Sequence, residues 1–155
     1  MARKINIISV GKAHDPLLVE AIAVYQKRLH PHFAIEWCIV PPKQEATIKE
    51  SAASESNTIL RNLENAEYVL LCDERGKQLT SEEFSETIFN ALATFRHVYI
   101  VIGGAHGVDQ RVRDRAHVCV SFGKMVMPHQ LMRLVVTEQL YRAATIASGS
   151  GYHHA

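Results

Sequence analysis

The chain has 155 residues, 47% of them apolar, and carries 17 basic against 16 acidic side chains for a formal charge of +1. That length suits one domain, 1–155, with a single core that buries about two-thirds of the surface of the unfolded chain. So even a balance excludes global charge as the means of holding nucleic acid and leaves that task to a local basic patch. No apolar run approaches the ~18 residues of a membrane span, and the short patterned stretch Met1–Val10 does not read as a secretion signal, so a cytoplasmic protein is expected.

Ile5 to Val10 predicts a strand buried on both faces that stops at Gly11. Asp15-Pro16 then supplies an N-cap with proline in the first helical position, and Leu18, Ile22, Tyr25 and Leu29 recur at helical spacing. Phe33 to Val40 alternates large apolar residues with smaller or polar ones up to Pro41-Pro42, as an edge-like strand does. Glu45 to Asn65 is polar, with Ile48, Ala52, Ile59 and Leu63 as sparse apolar positions, and predicts an exposed helix. Tyr68 to Cys72 reads as a short buried strand followed by a charged loop, Asp73 to Lys77. Thr80 and Glu83 form a capping box for a helix through Leu92. After it come a strand Val98 to Ile102, a short helix Asp109 to about Ala116, a strand Val118 to Phe122 and a final helix to Ala147. Alternating strands and helices with short connections imply an α/β fold, a mostly parallel sheet flanked by helices.

In such sheets ligands bind at the carboxyl ends of strands, which here are Leu71, Cys72, Gly103 and Gly104. Gly103-Gly104 is either a tight turn or a bare backbone edge that a ligand can approach. It is no GxGxxG, and GxxxxGK[ST] is absent, which weighs against a nicotinamide enzyme and a nucleotide triphosphatase. The segment Gly123-Lys124-Met125-Val126-Met127-Pro128 ends an apolar strand, and by composition its methionines suit core filling. Met132, Val135, Val136, Leu140, Ala143 and Ala147 form an apolar stripe on the last helix, with Arg133, Glu138 and Arg142 off it. Glu138 and Arg142 make an ordinary i,i+4 pair. Cys38, Cys72 and Cys119 are widely spaced and form no CxxC, which fits reduced thiols; His30 and His32 lack a third ligand at suitable spacing, so no metal is expected. Arg111, Arg113 and Arg115 spread around a short helix and read as a solvated face in preference to a phosphate patch.

Val101-Ile-Gly-Gly104, Gly107, Pro128-His129 before an Arg133-containing helix, Glu138-Gln-Leu-Tyr-Arg-Ala143 and the terminal Tyr152-His153 together resemble the RlmH (YbeA-like) family of SPOUT methyltransferases. That family comprises pseudouridine N3-methyltransferases of the 23S ribosomal RNA. The resemblance starts at Ile5-Asn-Ile-Ile-Ser-Val-Gly11 and Tyr25-Gln-Lys-Arg28 and covers essentially the whole chain. The family commonly ends in a charged residue where this chain has Ala155.

The resemblance implies a C-terminal deep trefoil knot, a homodimer, and S-adenosyl-L-methionine bound by Leu71, Cys72, Gly103, Gly104 and the loop Gly123, Lys124, Met125, Val126, Met127, Pro128. A base for the N3 proton is then sought among His129, His153 and His154, with Arg142 and Tyr152 holding phosphate and stacking on the target base. So weak a basic balance points to the assembled ribosome as substrate. The competing reading is a non-catalytic ribosome-assembly factor that keeps the fold as an RNA-binding surface.

Overall fold

The computed structural model describes residues 3–154. Five strands, β1 (Lys4–Val10), β2 (Ala34–Val40), β3 (Tyr68–Gln78), β4 (Val98–Ile102) and β5 (Val118–Ser121), alternate with five helices. These are α1 (Pro16–Leu29), α2 (Ile48–Asn62), α3 (Ser81–Thr94), α4 (Gln110–Arg115) and α5 (His129–Ser148), and a 3-10 turn, Gly151–His154, follows. All pairings are parallel, in the order β2-β1-β4-β3-β5. Ile5 to Val10 are buried without interruption, as a central parallel strand requires.

Two apolar layers sandwich the sheet. Leu29 of α1, Phe84 and Ile88 of α3, and Val136, Leu140 and Ala143 of α5 pack with Ile5, Ile7 and Ile100 on one face. Ile59 and Leu63 from α2 and its end, and Val112 of α4, pack with Ile8, Val69 and Val101 on the other. The local signals act where expected: Asp15 caps α1 through Leu17 N, and Thr80 with Glu83 closes a full capping box on α3.

Three expectations need correction. Asp73 to Lys77 is not a loop after a short strand: β3 continues through it, with Cys72 and Lys77 both paired to Val120 around an irregularity. Gly76 permits this, because a Cβ there would lie 2.5 Å from the Cys119 carbonyl carbon. α2 is shorter than Glu45–Asn65 and less exposed, since Ser51, Ala52, Glu55, Ser56 and Ile59 are buried against α4 and the sheet. The buried stripe of α5 includes Arg133, while Ala147 is exposed. The glycine-flanked tail is docked, with Tyr152 and His153 hydrogen-bonded to α5 and α3. Ala155 lies outside the described residues.

Candidate active site

The connection leaving β1 runs to α1 and β2, and the one leaving β4 runs to α4 and β5 on the opposite face, so the carboxyl ends of these neighbouring strands part. Divergence of this kind opens a ligand crevice in parallel sheets. A cavity of about 980 Å³ lies along this edge, walled by the ends of β3, β4 and β5, the loop after β4 and the loop before α5.

Cys72, Gly103, Gly104, Gly123, Met125, Val126, Met127, Pro128 and His129 all line it. Leu71 faces the buried layer below, and the exposed Lys124 does not enter the lining. Met125 is 81% exposed and so is not core filler, and Met127 is a partly buried part of the cavity wall; Met125 and Val126, the latter 80% exposed, form an apolar rim over the cavity. Gly104 is bare for a reason, because a Cβ there would lie 2.8 Å from Val10 Cγ1. Burial pushes the Cys72 thiol up to about 12, helped by the neighbouring Asp73 carboxylate, so it sits in the wall as a neutral apolar group.

Asp73, Glu74, Arg75, His106 and Arg113 frame the mouth, although in sequence the first three read as a connecting loop and Arg113 as part of a solvated face. Asp73 is held by Arg113 at 3.2 Å and by Arg75 at 3.4 Å, which leaves Arg75 largely exposed beside the opening. Arg113 and Arg115 are therefore not a merely solvated face; Arg115 donates to the carbonyls of Leu63 and Ala66. Among the described residues no three His, Cys, Asp or Glu side chains gather as a metal site.

His129 sits where α5 begins, its Nε2 directed at the bare Gly11. Burial, and then the Arg133 charge, lower its pKa, with Glu55 opposing weakly. The imidazole is thereby kept neutral and able to accept a proton. Arg133 is fully buried beneath it: Nε donates to Ser9 Oγ at 2.7 Å and Nη1 to the Lys12 carbonyl at 2.8 Å.

The other sequence-predicted catalytic residues lie elsewhere. Arg142 donates through Nε and Nη2 to Glu138 Oε1 at 3.0 and 2.7 Å, and through Nη1 to the His153 carbonyl and Nδ1 at 3.2 Å. Tyr152 donates its hydroxyl to Glu138 Oε1, packs its ring on Tyr141 and lies under the Arg142 guanidinium. The pKa of Tyr152 is pushed up to about 12, first by burial and then by the hydrogen bond with Tyr25. His153 Nε2 is 2.8 Å from Glu82 Oε1. With Nδ1 accepting from Arg142 and Nε2 donating to Glu82, both ring nitrogens of His153 are occupied. His154 is exposed.

This cluster is not at the cavity of its own chain. Glu138 and Arg142 follow His129 by nine and thirteen residues, about 14 and 20 Å along a helix. The structure thus brings the predicted cofactor residues other than Leu71 and Lys124 together with His129 and places Arg142, Tyr152, His153 and His154 apart from them.

Comparison with known proteins bears on the family and the fold. A family model described as "Predicted SPOUT methyltransferase" matches residues 3–153. The chain is 40% identical to a Ribosomal RNA large subunit methyltransferase H of Streptococcus uberis, over 97% of this chain and 99% of that protein. A protein of the same name from Lactobacillus helveticus is 44% identical, over 96% and 98%. Among solved structures, a probable methylase family protein from Haemophilus influenzae superposes with a TM-score of 0.59 at 14% identity, covering 96% of this chain and 70% of that one. A probable methyltransferase from Bordetella pertussis gives 0.54 at 12% identity, covering 92% and 94%.

Proposed function

The chain belongs to the SPOUT methyltransferase family, and from that premise we propose that it methylates N3 of a pseudouridine in a 23S ribosomal RNA loop, using S-adenosyl-L-methionine, as a cytoplasmic homodimer on the assembled ribosome. The observation that carries the reading is the cavity itself: three separate stretches of sequence, Cys72, Gly103-Gly104 and Gly123 to Pro128, converge on one strand edge. The fit to a sulfonium cofactor is good. The apolar rim and bare glycine backbone suit a flat heterocycle, and two orphaned buried charged atoms stand close by, on Glu55 and Arg133.

When bound, S-adenosyl-L-methionine supplies an activated methyl group. Gly103, Gly104 and the Gly123–Pro128 loop would hold it, with no metal needed. His129, neutral and at the cavity wall, is placed to accept the N3 proton. Met125 and Val126 help exclude water, which favours a transfer in which charge is cancelled. Placing the two reactants in line contributes at most about 7–11 kcal/mol to the rate.

The homodimer is supported by the separation of the tail from its own cavity, since a tail pinned on Glu138 and Glu82 reaches a cavity only in a second copy. Leu17 and Val24, two turns apart on α1, and Leu131 on α5 leave apolar side chains exposed that such a copy would cover. The trefoil knot belongs to the same reading: the chain leaves β5 at the sheet edge and crosses the ends of β3 and β4 to bring Gln130 beside Lys12 and Asp15.

The test is calorimetry with S-adenosyl-L-methionine and NAD, followed by transfer of a labelled methyl group to assembled ribosomes and to naked ribosomal RNA. Sulfonium-cofactor binding with transfer to ribosomes is expected. Binding without transfer supports the non-catalytic assembly factor, and binding of NAD alone overturns the reading.

A further inference from the structure

A second cavity of about 290 Å³ opens beside the first and shares Gly104, Ala105, His106 and His129 with it. It lies between the parting ends of β1 and β4, backed by Val10 and Glu55, with the exposed Lys12, Pro42 and Ala105 at its rim. Its volume is at the lower limit for a small-molecule site, which suits a single flat ring. His129 is a wall of both cavities, and its Nε2 is turned to the smaller one: that atom lies 2.5 Å from the point a Cβ of Gly11 would occupy, and Gly11 lines the smaller cavity and not the larger. Enzymes that act on a base take it out of its stack into a snug pocket of this kind.

On a pyrimidine N3, the departing proton and the arriving methyl group need the same place, because the N–H bond and the lone pair it leaves point the same way in the ring plane. The N3–H bond must therefore break first, and the ring becomes an anion whose charge spreads over N3 and its two flanking carbonyl oxygens. His129 is a weak base for that step, since burial and then the Arg133 charge lower its pKa, with Glu55 opposing. The anion needs a fixed cation beside it. Among the described residues that line the smaller cavity, Lys12 is the only lysine or arginine, and it enters no ion pair. Arg75 and Arg113 at the larger mouth are held by Asp73 instead. The Lys12 backbone is fixed in place, its carbonyl accepting from Arg133 Nη1 at 2.8 Å and from Gln130 Nε2 at 3.4 Å. Glu55 is the one carboxylate in the lining, so a pocket without Lys12 would oppose the anion.

We propose that the smaller cavity receives the target pyrimidine and that Lys12 is a catalytic residue, its ammonium holding a ring carbonyl oxygen while N3 is anionic. The proposal rests on the methyltransferase reading above and adds to it the place of the base and the group that stabilises its charge. In the complete step the N3–H bond breaks and the proton goes to His129 Nε2. The N3 lone pair then forms the bond to the methyl carbon, and the carbon–sulfur bond breaks with its electron pair staying on sulfur. The methylated ring is neutral, so the hold of Lys12 on it weakens and the product can leave.

The test is single-turnover transfer of a labelled methyl group to saturating assembled ribosomes across a range of pH, for the wild type, Lys12→Met and Lys12→Arg, with the S-adenosylhomocysteine affinity of each measured by calorimetry. The Lys12 side chain is exposed and its carbonyl is what holds Arg133, so both variants should fold and keep that affinity within about twofold. Lys12→Met should transfer about tenfold to hundredfold more slowly at neutral pH, the loss expected for one charge-assisted hydrogen bond made only as the reaction proceeds. The deficit should shrink as the pH rises and the ring ionises without help, and Lys12→Arg should recover most of the rate. His129, His106, His14 and Glu55 also surround this region, but they are common to the three proteins and drop out of the ratio. A deficit that is the same at every pH, or that appears only in the ribosome concentration needed for half-maximal rate, overturns the proposal by making Lys12 a phosphate contact. A Lys12→Met rate equal to the wild type, or a loss of S-adenosylhomocysteine affinity in that variant, overturns it too. A wild-type protein that binds S-adenosylhomocysteine and transfers nothing to ribosomes brings down the methyltransferase reading, and this proposal with it.

Discussion

The two halves of the candidate active site are built from different materials. The strand-end cavity is a wall of backbone and apolar side chains, with Gly103, Gly104 and Gly123 providing access and a thiol kept neutral. The tail cluster is a closed polar network in which Arg142, Glu138, Tyr152, His153 and Glu82 hold one another. The first is made by shape, so its residues are irreplaceable by size. The second is made by charge-assisted hydrogen bonds, so its residues are irreplaceable by donor and acceptor pattern. If the proposed catalyst needs both, the separation of about 14 to 20 Å along one helix means that a second chain would have to close the gap.

The largest effect expected from this contrast is all or none. Gly104→Ala would push a methyl group to 2.8 Å from Val10 Cγ1 and should abolish cofactor binding. A chain ending at Gly149 lacks the tail cluster. Each is expected to be inactive alone, and mixing them under conditions that exchange subunits should restore up to about one competent site per heterodimer. Confirmed heterodimers without methyl transfer would show that the tail serves its own chain and would reject the division of labour.

A smaller effect sharpens the comparison. Glu138→Gln keeps the shape of the side chain and removes the charge that gathers Arg142 and Tyr152. Turnover should fall about tenfold to hundredfold while cofactor affinity stays within about twofold, because charged hydrogen bonds of this kind are worth about 1.5–3 kcal/mol. A matching loss of cofactor affinity would mean that the two regions are not separate.

How much of this was legible in the sequence depended on whether the signal was local. The strand ending in Gly103-Gly104, the Asp15-Pro16 start of α1 and the Thr80/Glu83 box are each written within a few residues, and each appears as read. Asp73 to Lys77 looked like a loop because charge and glycine are loop signals, whereas its pairing with Val120 and Ser121 is set by a strand some forty residues away. Arg133 was placed off the apolar stripe because arginine is seldom buried. Its burial depends on Ser9 and on the Lys12 carbonyl, which no helical periodicity can display. Glu55 was one glutamate among several on a polar helix, and only the missing partner on Oε1 distinguishes it. Most of the residues that family resemblance named as cofactor contacts do line the cavity, whereas the distance of Arg142 and the tail from it rests on α5 running unbroken from His129 to Ser148.

The smallest effect concerns the cavity side and acid. Burial, and then the Arg133 charge, lower the pKa values of both His129 and His14, so protonating either ring is harder in the native protein than in the unfolded chain. Above the unfolded imidazole value of about 6.5 neither state binds the proton and the rings contribute nothing to the pH dependence. As the pH falls through that value the unfolded chain takes up protons first, so stability declines until the native rings titrate as well, and then levels off. The side chains are partly open to solvent, which limits the change in thermal midpoint to about 2 °C. Scanning calorimetry on the wild-type protein and on His14→Asn/His129→Asn checks this: the wild type should decline through the window and the double variant should stay flat. A double variant that kept the wild-type slope would remove the acid-sensitive charge from the cavity and overturn the assignment of the neutral base to His129.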